Sequence, residues 1–565
     1  MDAEGGTSAA PLLNADATTP TPNQGRRRRR LLVLLFALSL AFLTLVRPLL
    51  AVILGEIHRQ ENLDAPCPRK GGVALVLGGR GSGSGENDGN SSSSSSFTPP
   101  RLVVWSGKKR GRLSGDADGE LQGAVHVLEL RGGSRSGGRG GGKKGKWKVA
   151  TSTSSPSSPL LPLPRWKPVA AALSPSVGAL FGGDAQMVEG GEEESQYLSD
   201  LWRFELEPAA EPTSKAAAAE ERKGKAGSPP PPLSVRWTRV SNEPSPSYPL
   251  YDADTDADAV PQARRAALGV SLLPEEEEDY DDDEEELAAP RQRRQRRRRP
   301  STLLVHGGRG RRKSDGILSD LWAAKEVGTE KVEWERLWPP SDSLSSSSSS
   351  AAAATPPLPR KGHAGVALPR GASLPLFPGP ALFLTGGRND SAGECYHDDS
   401  FLFEVEERRW HRVKFSSTSS LSSSSSSSPS SLSSSLSSSL SSSALRRDHA
   451  GAWLCEREKK VFVFGGRGGS SHDASGPLGD LLAFDVKKKT WSSRKFSSSS
   501  PSPAPRFLFG VGTYESLDGD TKAVVFGGEG KHGYYFNDAW EFGCREQRWE
   551  ALTRGAVAAS AATAG

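Results

Sequence analysis

The side chains able to do chemistry are few in this chain and stand apart. Nine His, eight Tyr and four Cys are spread over 565 residues. The tightest grouping is Cys395-Tyr396-His397, a thiol, a phenol and an imidazole in a row. Cys67, Cys395, Cys455 and Cys544 form no Cys-x-x-Cys pair, and no His stands at zinc-finger spacing from them. One or two disulfides, or four separate thiols, fit that count equally well. Asp252-Ala-Asp254 and Asp256-Ala-Asp258 have a spacing that can hold a divalent cation, but they sit in a repetitive acidic stretch. There is no Gly-x-Ser-x-Gly elbow, no His-Glu-x-x-His and no phosphate-cradling glycine loop. No catalytic residue, metal or cofactor is predicted, and the chain is not expected to be an enzyme.

Arginine offers the other chemistry. A guanidinium fork recognises carboxylates and sulfates in two-point contacts. Arg309, Arg388 and Arg467 each follow a double glycine, and Arg360, Arg447 and Arg506 each open an apolar stretch. These six are the candidate ligand-binding residues. The overall charge gives them little context, since 72 Lys+Arg against 67 Asp+Glu leave only +5. The densest basic runs, Arg26–Arg30 and Arg291–Arg299, lie outside any folded-looking segment. A nucleic-acid partner is therefore not expected.

The N-terminal region carries its own signal. Residues 1–30 read as a disordered tail ending in the Arg26–Arg30 cluster, and Leu31–Val46 is uninterruptedly apolar. After Arg47-Pro48 the apolar character resumes to Gly55. Together 31–55 are long enough to cross a bilayer if Arg47 reaches toward the headgroups. The positive-inside rule then leaves the arginines in the cytosol and everything beyond Gly55 on the far side. The expectation is a single-pass type II signal anchor of the secretory pathway, in the ER, in the Golgi or at the cell surface. Sequons at Asn90 and Asn389 would then be open to glycosylation.

The rest of the chain is a frame interrupted by inserts. Ser91–Ser96, Ser345–Ser350 and Ser416–Ser443 have almost no apolar side chains to offset ordering entropy, and Glu275–Glu286 beside Arg291–Arg299 is a charge block. With these set aside, a repeat emerges. An apolar run ending in a double glycine recurs at 178–183, 301–308, 381–387, 461–466 and 523–528. A second station follows at 199–206, 319–326, 398–405, 479–486 and 537–544, with Asp near its start. Then comes a tryptophan: Trp237, Trp334, Trp410, Trp491 and Trp549. An arginine-led short strand precedes each double glycine, beginning at Arg165, Arg265, Arg360, Arg447 and Arg506. A degenerate copy fits at 69–150.

Four short strands per repeat, rich in Val, Leu, Phe and Trp, make a meander that cannot bury both faces alone. Sheets stacked radially around a channel can, which predicts an all-β propeller. Paired glycines suit a place where backbones crowd or φ turns positive, and the Trp suits packing against a neighbouring blade. The pattern Arg-x-x-His-Ala, double glycine, Asp-Leu-Trp, Trp resembles the kelch repeat, with His363-Ala364 and His449-Ala450 matching its first element in full. The resemblance runs from about Arg69 to Leu552, in repeats near 69–150, 165–240, 265–338, 360–415, 447–496 and 506–552, with 553–565 as a tail. It implies six blades and an interaction module for a protein or an anionic glycan. The alternative is a kelch-type secretory enzyme such as a galactose-oxidase-like oxidase, whose copper site needs two His and two Tyr, one crosslinked to Cys. In such a meander the 2→3 and 4→1 connections share a face. That places the six arginines on one rim, unless the strand-opening ones are taken up by acidic groups of adjacent blades.

Overall fold

The computed structural model describes residues 65–79, 98–109, 121–130, 146–155, 160–189, 192–207, 233–240, 260–273, 301–311, 316–325, 327, 332–340, 355–370, 379–390, 395–416, 441–469, 475–494, 496 and 500–553. The 31–55 segment, Asn90, Asp252–Asp258 and the 275–299 charge block lie outside the described residues. Among the described residues no helix is long and apolar enough to cross a membrane. The helices there are two short 3-10 turns, Ser442–Leu445 and Lys531–Gly533.

Everything else is strand and turn, arranged as a β-propeller. The first meander comprises Val73–Gly79, Thr98–Trp105, Val125–Glu129 and Trp147–Ser154. The second comprises Val169–Ala172, Val177–Glu189, Glu192–Glu207 and Ser234–Arg239, and the third Leu268–Leu272, Thr302–Gly310, Ile317–Lys325 and Glu333–Trp338. Ala364–Leu368, Ala381–Thr385, Ser400–Glu404 and Arg409–Val413 make the fourth. Gly451–Cys455, Lys460–Phe464, Leu481–Asp485 and Thr490–Arg494 follow, and then Gly510–Glu515, Thr521–Phe526, Ala539–Gly543 and Arg548–Ala551. Within each meander consecutive strands pair antiparallel. The outer strands of the first two are also joined, in parallel, by Thr151–Ser154 against Ser234–Trp237.

Burial follows strand position. The second strands are apolar without alternation, as at Leu382, Phe383 and Leu384 or Val461 to Phe464, because neighbouring sheets cover both their faces. The first strands alternate, with Ala364, Val366 and Leu368 buried. Outer strands keep one buried plate, the tryptophan, between more exposed neighbours. The core therefore lies between sheets. One apolar cluster joins the first and second meanders, others join each later neighbouring pair, and one joins the sixth back to the first through Val76, Val104 and Trp147 against Tyr514, Val524 and Phe526.

The tryptophans carry these interfaces. Each packs on the second strand of the preceding meander: Trp237 on Trp105 at 5.2 Å between centroids, Trp334 on Phe181 at 5.2 Å, Trp410 on His306 at 5.3 Å. The series continues with Trp491 near Phe383 at 6.2 Å and Trp549 on Phe464 at 5.0 Å, and returns with Trp147 on Phe526 at 5.5 Å. The double glycines serve the same junctions. Gly465 has φ +60°, and a Cβ there would stand 2.6 Å from the carbonyl oxygen of Arg506 in the next meander. The adjacent Gly466 amide donates to that same oxygen at 2.9 Å. The first meander has Ser106-Gly107 at this place, with Ser106 at φ 63° and its hydroxyl donating to the Arg165 carbonyl at 2.6 Å.

A second circle of bonds runs nearer the axis. Gly71 donates to Leu508, Lys167 to Gly71, Ala266 to Lys167, Gly362 to Ala266, His449 to Gly362 and Leu508 to His449, backbone amide to carbonyl, at 2.6–3.2 Å. The chain of bonds ends where it began. All six residues have φ between 52° and 62°, although four are not glycine. Left-handed backbone at a non-glycine residue costs about 1–2 kcal/mol.

Candidate functional site

Two sets of arginines sit near this inner circle, and their environments differ completely. Arg360, Arg447 and Arg506 are 0%, 3% and 0% exposed, so they are not rim residues. Each folds beneath its own sheet and makes a two-point pair with the aspartate of the second station. Arg360 reaches Asp399 at 2.8 and 3.3 Å, Arg447 reaches Asp480 at 3.0 and 2.9 Å, and Arg506 reaches Asp538 at 2.7 and 2.9 Å. Arg165–Asp200 and Arg264–Asp320 repeat the arrangement. The partner belongs to the same meander, not to the neighbouring one. The aspartate thus receives a guanidinium rather than the amides of its turn. In three repeats the Trp two residues on donates its indole N–H to the same carboxylate, at 2.6–2.7 Å. The remaining guanidinium hydrogens go to carbonyls, such as Gly527 and Ala504 for Arg506. With each of their guanidinium nitrogens bonded, these arginines serve the fold.

The first repeat breaks the rule. Arg69 is buried, but the register that pairs Trp105 with Val125 puts Ala124 where the aspartate stands elsewhere. Its guanidinium bonds the carbonyls of Ser106 and Cys67 and the Cys67 thiol at 3.5 Å. Desolvation lowers its pKa, with Cys67 opposing.

Arg309, Arg388 and Arg467 are less buried, with side chains 39%, 14% and 28% exposed. Arg467 and Arg388 share Asp448, at 3.2 and 2.9 Å. Arg388 and Arg309 also approach Asp390, at 3.3 and 3.4 Å, and Lys361 binds the same carboxylate. Arg265 pairs with Asp184 and lies over the rings of Tyr197 and Trp166, at 4.7 and 5.1 Å. Lys167 completes the group, its Nζ 4.2 Å from the Trp166 centroid and 2.9 Å from His449 Nε2. Five of these six basic side chains pair with Asp184, Asp390 or Asp448, and Lys167 meets His449 instead. Sequence reading missed Lys167 and Lys361, and it took Arg265 for the strand-opening arginine of the third repeat, a station that the buried Arg264 fills while Arg265 pairs with Asp184. The signal available was their common offset, one or two residues after the buried arginine.

The histidines are engaged separately. His306 Nδ1 and His363 Nε2 are 2.9 Å apart and buried, and desolvation, with Arg360 nearby, lowers the His306 pKa to about 3. Desolvation also holds His363 well below the ordinary range. His397 Nε2 faces the Pro359 carbonyl at 3.3 Å. Of the Cys395-Tyr396-His397 run, Cys395 and Tyr396 form a short strand against Arg388–Asn389, which places the Asn389 sequon beside the mouth. Cys455 and Cys544 form a disulfide, and Cys67 is a free thiol. Glu458 lies close to that disulfide, the one grouping of His, Cys, Asp and Glu among the described residues tight enough for a metal ion. Its two sulfurs are bonded to each other.

Sheets of this form, with this glycine and tryptophan frame, define a β-propeller of repeated meanders. Residues 376–563 match the family model of the KLHDC2/KLHL20/DRC7 Kelch-repeats domain, which identifies kelch repeats over this stretch. Among solved structures, that of YjhT is similar, with 12% identity and a TM-score of 0.41, over 87% of this chain and 99% of the other. No curated protein matches the chain.

Proposed function

We propose that the protein is a six-bladed kelch propeller, held in a secretory-pathway membrane through 31–55, whose basic mouth binds an acidic segment of a partner protein without catalytic turnover. The observation that carries the reading is the charge imbalance at the mouth: Lys167, Arg265, Arg309, Lys361, Arg388 and Arg467 against Asp184, Asp390 and Asp448. Cations short of counter-ions in a concave, partly desolvated place attract anions. The closed circle of six backbone bonds supports the blade number. The buried Cys455–Cys544 disulfide supports an oxidising compartment, hence a lumenal or extracellular propeller.

The test is binding of the full chain to an acidic peptide and to a sulfated glycan, with Arg388→Glu and Arg467→Glu. Expected is a loss of at least about tenfold for the peptide, with steep salt dependence. Unchanged affinity would overturn the mouth as the site, and preference for the glycan would reassign the partner class.

A further inference from the structure

The mouth holds one group whose chemistry exceeds charge attraction. Lys167 and His449 come from the second and fifth repeats, and both sit in left-handed backbone, at φ 52° and 54°. Their side chains meet at 2.9 Å. Lys167 is half-buried, its amine lies above the Trp166 ring, and Arg265, Lys361 and Arg388 act on it electrostatically.

We propose that Lys167 is a reactive amine that captures small anionic carbonyl compounds as an imine. The amine lone pair adds to the carbonyl carbon, and a proton passes from nitrogen to His449 Nε2. His449 returns that proton to the oxygen, which gives a neutral carbinolamine; the second N–H proton then passes to the hydroxyl by the same imidazole, the hydroxyl leaves as water, and a C=N bond remains. No oxidant or reductant is needed. The cations Arg265, Lys361 and Arg388 would hold the anionic end of the compound.

The electrostatics agree with the geometry. Desolvation holds Lys167 well below the ordinary lysine range, and Arg265, Lys361 and Arg388 add to the depression while Asp448 opposes it. His449 is likewise depressed by desolvation, with Lys167, Arg467, Arg388 and Lys361 contributing. An unprotonated amine beside cations is the state that forms imines.

The inference rests on the proposed basic mouth for the anion, but not for the amine, and one experiment separates them. The full chain is incubated with pyridoxal 5′-phosphate or with pyridoxal, reduced with cyanoborohydride, and the labelled lysines are mapped by mass spectrometry between pH 6 and 9. Lys167 is expected to label at least about tenfold faster than Nα-acetyl-lysine at pH 7, with a nearly flat rate from pH 7 to 9 where the free amine's rises steeply. His449→Gln should slow it without abolishing it. Lys167 labelling no faster than the free amine and sharing its pH profile would overturn the proposal. Equal labelling by both aldehydes keeps the amine and removes the anion site. Binding of the phosphate compound without Lys167 labelling keeps the anion site and removes the amine.

Discussion

A buried arginine is a liability unless its charge and all five of its donors are answered, and the second-station aspartate does most of that answering. Removing one partner of such a pair costs about 3–5 kcal/mol, because the other is left charged and buried. Asp538→Asn should therefore lower stability by about that amount in urea denaturation. The reverse experiment is available in the first repeat. Ala124→Asp restores the missing carboxylate beside Arg69 and should raise the melting temperature. An unchanged or lower value would show that Cys67 already serves. Protonation gives a second check at this scale. Folding keeps His306 neutral, whereas the unfolded chain takes up its proton near pH 6.5. Stability is thus full above that pH and falls as acid is added, by about 2 kcal/mol between pH 7 and pH 5 for this one group. His306→Asn should shrink the difference between the two pH values, and an equal difference in both proteins would count against the assignment. Both members of four of these Arg–Asp pairs were visible as repeat stations, whereas in the third repeat Arg265 was read in place of Arg264. Their pairing was not, because spacing along the chain does not reveal that a guanidinium folds under its own sheet.

At the level of elements, the double glycine and the outer tryptophan are where sequence and structure speak most directly to each other. Gly465→Ala would bring a Cβ against the Arg506 carbonyl in a left-handed conformation, whereas a Cβ at Gly476 meets nothing within 4 Å. The first should cost at least about 2 kcal/mol and the second well under 1 kcal/mol, read by thermal unfolding of each variant. Trp491→Ala empties a junction next to Phe484 and Phe383 and should cost about 3–5 kcal/mol. These stations were legible since close backbone approach admits only glycine and a wide sheet junction favours a large flat ring. The first meander was harder to see, because Ser106 replaces a glycine and Ala124 an aspartate. The mouth was half legible: three of its arginines follow glycines, but Lys167 and His449 meet only because six separate repeats bend round to face one another.

For the whole molecule, closure is the central fact. The disulfide joins the end of the fifth repeat's first strand to the end of the sixth repeat's third strand, 89 residues apart. Constraint of the unfolded chain makes it worth about 4.5 kcal/mol on the loop-entropy model, so reduction should lower the melting temperature by several degrees, and no shift would argue that the thiols are not paired in solution. The last junction is built like the others: Trp147 on Phe526, Gly528 on the Arg69 carbonyl, Lys70 on Glu529 at 2.8 Å. Each sheet takes its four main strands from one continuous stretch, and Ala65 and Leu552 pack on the same cluster. Among the described residues, no strand from one end completes the sheet of the other. The order in which the repeats are read is then arbitrary. A circular permutant with 553 linked to 65 and new ends cut within the serine tract at 417–440 should assemble the same ring.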